Sequence, residues 1–529
     1  MPGVDIVRLG PFVGGLNTTN DPSSVADNEL VALSNLELDI DASLVSRPPI
    51  ATVADLTGTW TERIVAIGVG AFSSGDYIIG SNTNGTYYFF AGAWTVITNT
   101  VKAACMVQYA DVVWLIAGPL EANPGGQWDP VGGWVAQANL PKGEAAVVFK
   151  ERLFVAPGKR STTNTSRLFF SEPANFLDYN AVTAGNQAYD VGTDFIDVTR
   201  GDGTKLVDVI IYRGNLLLFK EDSTFILAYE TNPASAVVEN ISTIVGASQR
   251  HCVVPFEYSV FIYHEGAIFE LINYTFTKIN IKTKFIYDGG TPAGTTRAED
   301  VFMCLFGERL FVRYFNNIYV YGLRTRVWSQ WSSSSIYLGN IGPLIPLPSN
   351  VAQSVNIEYY AGSSITQHTK FFRIRNGFDS STTENDGSAT PITCTIVTKN
   401  YDLGASHLFK RLYWWGADIL SNNSVTGTVT PIVFSFQTLW GDLKNNGILW
   451  NQLLTWQNPL SSPSSVSTVV ATSSGTQRRF LRFIKGLRYR QINFRLDLTS
   501  NGTTTDGPAR IYTLSICTKT KQLVSKSVN

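Results

Sequence analysis

The chain has 529 residues, 44% apolar and only 16% charged, with 30 Phe, 22 Tyr and 12 Trp; 41 Lys plus Arg nearly cancel 42 Asp plus Glu, leaving a formal net charge of −1. This composition excludes a disordered chain, a helical-repeat protein and one drawn to nucleic acid or a membrane surface by overall charge. It describes an ordered protein rich in sheet formers and long enough for two or three domains.

Residues 1–55 do not share the pattern of the rest and are read as an N-terminal docking arm. Gly10-Pro11-Phe12-Val13-Gly14-Gly15-Leu16-Asn17 is a stiff turn followed by a flexible one. In Asp27-Asn28-Glu29-Leu30-Val31-Ala32-Leu33-Ser34-Asn35, an Asp cap, an early acid and apolar residues three and four apart predict a short helix. Arg47-Pro48-Pro49 cannot continue a helix and favours an extended exit. The arm either packs on the first blade or clamps a neighbouring subunit, with Leu16, Asn17, Arg47, Pro48 and Pro49 as candidate docking residues.

Residues 56–375 repeat a unit. Glu151-Arg152-Leu153-Phe154-Val155 recurs identically as Glu308-Arg309-Leu310-Phe311-Val312, and looser copies stand at Asp111-Val112-Val113-Trp114-Leu115, Gly214 to Phe219 and Tyr258 to Ile262. Each puts a turn pair before a buried strand and follows another apolar segment, so the unit begins with a hairpin. A third strand and an aromatic-rich fourth follow, as in Ile318-Tyr319-Val320-Tyr321 and Val327-Trp328-Ser329-Gln330-Trp331. Four strands every few tens of residues predict a β-propeller of six or seven blades. Six copies run Ile64 to Ile97, Ala104 to Val135, Ala145 to Tyr179, Leu206 to Ile241, Ser248 to Ile279 and Glu299 to Trp331. In a seventh, Tyr337 to Ile374, Pro343-Leu344-Ile345-Pro346-Leu347-Pro348 replaces the second strand, and Asp190 to Lys205 reads as a surface insertion.

Residues 376–390, rich in Gly, Asp, Ser and Thr, are the expected linker. Residues 391–529 carry at least six strand-like runs, including Thr393 to Val397, His407 to Ile419, Thr430 to Gln437 and Tyr489 to Leu498, and predict a C-terminal β-sandwich-like domain. The whole is all-β.

Chemistry is sparse. The four histidines lie in no metal-ligand spacing, and Gly68-Val69-Gly70-Ala71-Phe72-Ser73, lacking a third glycine and a following helix, is read as a turn and not a dinucleotide loop. No metal, cofactor or catalytic residue is assigned. Five scattered cysteines read as buried free thiols of a chain folded in the cytoplasm, with no signal peptide and no apolar run long enough for a membrane anchor. A glycosidase would need two opposed carboxylates, for which Asp111, Glu151, Asp208, Glu221, Asp222 and Glu308 are candidates. Asp111, Glu151 and Glu308, however, hold equivalent hairpin-turn positions. Arg478, Arg479, Arg482, Lys485, Arg488 and Arg490 interleave with apolar residues; they read as a solvated strand face, as cations facing a DNA-filled channel, or as phosphate contacts.

Several of these segments resemble the tail tubular protein B, or nozzle, family of short-tailed, T7-like bacteriophages. They are Gly14-Gly15-Leu16-Asn17, Ser46-Arg47-Pro48-Pro49, Glu151-Arg152-Leu153, Ser166-Arg167-Leu168-Phe169-Phe170-Ser171, Phe176-Leu177-Asp178-Tyr179, Leu216 to Leu227 and Trp328-Ser329-Gln330-Trp331, in shared order over roughly the first 330 residues. The resemblance implies a propeller with added β-domains and a structural, non-enzymatic virion protein assembled in the host cytoplasm. It implies a ring of six copies below the portal and adaptor proteins, with genomic DNA passing non-specifically through the lumen. The chain is shorter than T7-type nozzles, so it need not carry their accessory domains or gate. Other readings are a tail-tip propeller that binds host-surface carbohydrate, or a glycosidase.

Overall fold

The repeated Glu-Arg-Leu-Phe-Val segments form the first hairpin turn and second strand of four-strand antiparallel units. In the third blade, Phe149 pairs with Arg152 across Lys150 and Glu151, whose φ values of 49° and 60° are left-handed. Left-handed φ at both central residues is the type I′ turn, which matches the twist of the strands. Tyr109 with Val112, Tyr212 with Asn215, Phe256 with Ser259 and Phe306 with Arg309 close hairpins of the same length.

The computed structural model describes residues 5–55, 64–177, 195–285, 301–332, 341–347, 358–363, 370–375, 385–386, 390–403, 410–420, 424–432, 466–470, 478–489, 491–499 and 510–520, except positions 49, 65, 200, 231, 315 and 316. Among these, seven four-strand units run in chain order from 66–98, 103–136, 145–197, 206–242, 253–278 and 301–331 to 341–375. Their first strands are Ala66–Phe72, Ala103–Tyr109, Ala145–Phe149, Leu206–Tyr212, Val253–Phe256, Val301–Phe306 and Ile341–Leu347. Each lies against the next, and the last returns to the first. The protein is therefore all-β, and the ring is a seven-bladed propeller with these strands around its axis.

The seventh blade takes its outermost strand from the other end of the chain. Ile50–Asp55 pairs antiparallel with Lys370–Arg375, so the blade ring draws on residues within the stretch read as an arm. The proline run is not a lost second strand: Ile341–Leu347 is the innermost strand of that blade. An innermost strand pairs on one side only, so it tolerates proline, and Pro255 occupies the same kind of strand in blade five. Gly68 and Gly70 lie inside Ala66–Phe72 and not in a turn. A Cβ on Gly68 would meet Met106 Sδ at 2.9 Å, and one on Gly70 would meet Val113 Cγ2 at 2.9 Å, so both let blade two approach. The expected insertion supplies Phe195–Asp197, the outermost strand of blade three, and then a loop that wraps Lys220.

Residues 391–520 contribute two packed sheets, each completed by the N-terminal segment. In one, Arg510–Thr520 pairs with Lys410–Leu420 on one side and with Leu44–Ser46 and Asp5–Leu9 on the other. In the second, Thr393–Thr398 lies between Gln491–Thr499 and Glu29–Ser34. Leu33, Ile396, Phe494, Leu496, Trp415, Leu514 and Ile516 share one core. The strand Ser424–Ile432 of the second sheet includes the first residues of the expected Thr430 to Gln437, and positions 433–437 lie outside the described residues. Ser34 also pairs with Gln330 in the outermost strand of blade six, so one ten-stranded sheet runs from the propeller into the sandwich. Most of the expected 376–390 linker lies outside the described residues.

The helix expected near residues 27–35 is the strand Glu29–Ser34. A register shift between Leu30 and Ala32 adds one residue, so Leu30 and Leu33, three apart, both reach the core, at 0% and 1% exposure. A bulged strand thus imitates helical spacing.

Two glycines separate backbone strain from packing. At Gly214, φ is 76° and an added Cβ meets nothing within 4 Å, so Gly214→Ala should cost about 1 kcal/mol from the backbone alone. At Gly15, φ is 67° and the Cβ would lie 2.0 Å from Val327 Cγ1 and 3.2 Å from the Trp328 carbonyl. Gly15→Ala should cost about 3 kcal/mol or more. Urea unfolding of both variants should show that order; equal losses would mean the Gly15 turn does not pack on blade six.

Candidate functional site

The residues proposed for subunit docking are used inside the chain. Leu16, Asn17 and Arg47 are 2%, 1% and 1% exposed, and Pro48 is buried. Asn17 Nδ2 donates to Glu29 Oε2 at 2.7 Å, and Lys282 Nζ, from the loop after blade five, reaches Glu29 Oε1 at 2.5 Å. Burial alone would raise the Glu29 pKa, but these bonds and the Ala26 amide hold it below its ordinary value. Arg47 donates to Asn35 Oδ1 at 2.9 Å and to the Pro48 carbonyl at 3.0 Å, with its guanidinium 5.4 Å from the centre of the Trp331 ring. Within the single chain these residues are buried against the propeller and the rest of the arm. Pro49 lies outside the described residues.

Arg478, Arg479, Arg482, Lys485 and Arg488 lie on Arg478–Tyr489, an edge strand of the first sandwich sheet, paired with Lys410–Leu420. That sheet contains no strand of the propeller axis. Arg490 lies outside the described residues.

The carboxylates scatter as well. Asp111, Glu151 and Glu308 occupy first hairpin turns, and Glu308 pairs with Arg324. Glu221 and Asp222 sit in a turn at the opposite end of blade four, where Glu221 pairs with Lys159 at 3.5 Å. Of these six, only Asp208 lies on a first strand, Leu206–Tyr212, where it is half-buried.

At that end of the propeller the axis is bridged. Arg250, just before the first strand of blade five, donates Nη1 to the Ala104 carbonyl of blade two at 2.8 Å. Blades two and five stand nearly opposite in a ring of seven, so this side chain crosses the hub. Around it, Glu144 enters blade three with its carboxylate held by Arg160, and Asp208 follows a register shift in blade four. His251, at φ 61°, packs its ring 5.3 Å from Phe302.

Burial dominates the chemistry of this cluster. It pushes Asp208 up to about 7 against the opposing pull of the Val209 amide, which donates at 2.8 Å, and of Arg250. Burial, then the charges of Arg250 and Arg160, push His251 down to about 3, so its imidazole is neutral. Burial also raises the Cys105 thiol, which stays protonated. The cluster thus offers one carboxyl group that titrates near neutrality, a neutral imidazole and paired ions. Among the described residues, no group of three His, Cys, Asp or Glu could hold a metal ion. Glu144, Arg160, Arg250 and His251 were not legible in the sequence as a group; Glu144, Arg250 and His251 precede first strands, while Arg160 lies between the second and third strands of blade three.

No known protein family and no curated protein matches the sequence. Solved structures with similarity include the extracellular domain of a one-component system from B. thetaiotaomicron, at 12% identity and a TM-score of 0.42, covering 62% of this chain and 40% of that one. BamB from Moraxella catarrhalis gives 11% and 0.36, covering 70% and 99%. The Pan2 WD40 domain of Neurospora crassa gives 6% and 0.37, covering 64% and 97%. The chain spans only two fifths of the first of these, and at such scores no function passes from them to it.

The Asp208 shift has a definite sign. Its folded pKa, about 7, lies above the ordinary 3.8, so the stability it contributes is complete below about pH 3.8 and is lost as pH rises toward 7. Asp208→Asn removes that loss. Relative to the parent chain, the variant should gain about 1–3 kcal/mol between about pH 5 and about pH 8 in urea midpoints. A constant difference across that range would mean Asp208 titrates normally.

Proposed function

We propose that this protein is a structural ring subunit of a bacteriophage tail, a nozzle-like component below the portal and adaptor proteins. Six copies surround a lumen through which the genome leaves. The observation that carries the reading is mechanical: the N-terminal segment closes blade seven, adds strands to both sandwich sheets and joins blade six to the second of them. A subunit that must keep its shape in a pressurised assembly needs domains that cannot swing, and a shared sheet supplies that. The order of nozzle-like segments in the sequence supports the same reading.

Two further features agree. The Arg250 bridge crosses the propeller hub, so a DNA path belongs between copies and not through a single one. A net charge of −1 suits a conduit, because a strongly basic lumen would grip phosphates through counterion release.

Cryo-electron microscopy of phage particles carrying this chain tests the reading. A six-fold ring coaxial with the DNA, arms folded back within each subunit, is expected. A peripheral appendage off the tail axis would overturn it.

A further inference from the structure

At the end of the propeller opposite Arg250, a cavity of about 170 Å³ opens between blades five and six. Phe256, Glu257 and Tyr258 of the first hairpin turn in blade five form one wall, and Leu323 and Arg326 of blade six form the other. Glu270 stands within the apolar strand Ala267–Ile272, with its side chain 8% exposed. A carboxylate in that setting needs a partner, and Arg326 Nη1 supplies it at 2.6 Å while its own side chain stays 54% exposed. Burial, offset by the Glu270 and Tyr321 contacts that prevail, leaves the guanidinium firmly charged.

Beside the cavity lies an aromatic shelf. Tyr258 is 75% exposed, and Ile211, Ile272 and Tyr274 continue the apolar surface at 42%, 39% and 37%. The shelf is held from beneath: Tyr212 OH donates to the Tyr258 carbonyl at 3.0 Å, accepts from the Asn273 amide at 3.3 Å and packs edge-on to Tyr274 at 5.7 Å. Glu257 and Arg326, one on each wall, both have left-handed φ, 48° and 58°. A tie between blades accounts for the Glu270–Arg326 pair. It does not account for an open cavity beside a tyrosine ring presented to solvent on a fixed backbone.

We propose that this cleft binds a neutral saccharide. The C–H face of a sugar ring stacks on an aromatic side chain, and adjacent hydroxyl groups can accept from a guanidinium while donating to its carboxylate partner. The cavity is small, so one sugar edge enters it and the neighbouring ring lies over Tyr258. Glu257 and Glu270 against Arg326 leave the lining one charge negative, which disfavours phosphate, sulfate and nucleic acid. The site is independent of the ring assembly proposed above.

The test uses the full chain with the methyl glycosides of glucose, galactose, mannose and N-acetylglucosamine as probes, followed by saturation-transfer NMR and titration. At least one should bind saturably, about tenfold more weakly in Tyr258→Ala and nearly unchanged in Tyr258→Phe, which keeps the ring. Tyr258 is exposed enough that both variants should unfold like the parent chain. Absence of saturable binding, binding that survives Tyr258→Ala, or preferential binding of dextran sulfate would overturn the assignment.

Discussion

A four-stranded blade cannot bury its two faces alone, so the ring must close. The last blade has three strands of its own, and the closing strand, Ile50–Asp55, arrives from the N-terminal side. Closure is what gives every blade two neighbours. Leu216 and Leu218 face blade three, while Leu217 and Phe219 face blade five, and all four are fully buried. Each such side chain contributes roughly 1.5–3 kcal/mol, but only while both neighbours stay in place.

The same segment organises the rest of the molecule. Before it reaches blade seven, the chain has already laid Asp5–Leu9 and Leu44–Ser46 along the strand Arg510–Thr520, and Glu29–Ser34 beside Thr393–Thr398. Asn35 is the joint: its amide donates to the Gln330 carbonyl at 2.8 Å, and its side chain donates to the Thr393 carbonyl at 2.7 Å and accepts from the Ser332 amide at 2.8 Å. One residue thus touches arm, propeller and sandwich. Sequence distance between the domains is large, yet their spatial coupling is direct, and this suits a scaffold better than a hinged receptor.

The architecture was legible in the sequence because it is written in local pattern. Alternating apolar runs and two-residue turns such as Lys150-Glu151 depend only on neighbours along the chain. What stayed hidden was whatever depended on a distant partner. Leu30 and Leu33 have helical spacing until Thr393–Thr398 pairs beside them and accommodates a bulge. Leu16, Asn17 and Arg47 have no evident partners along the chain, and in the fold Glu29, Asn35 and Trp331 surround them. The hub cluster and the cleft between blades five and six draw single residues from several blades, so no stretch of sequence announces either.

The central claim is that the arm belongs to its own subunit and locks propeller to sandwich. Hydrogen exchange of the amides in Glu29–Ser34 and Ile50–Asp55, followed over a range of protein concentrations, tests it most directly. The account predicts protection independent of concentration and lost only with global unfolding. Protection that grows with concentration, or that disappears while the blades remain protected, would contradict it.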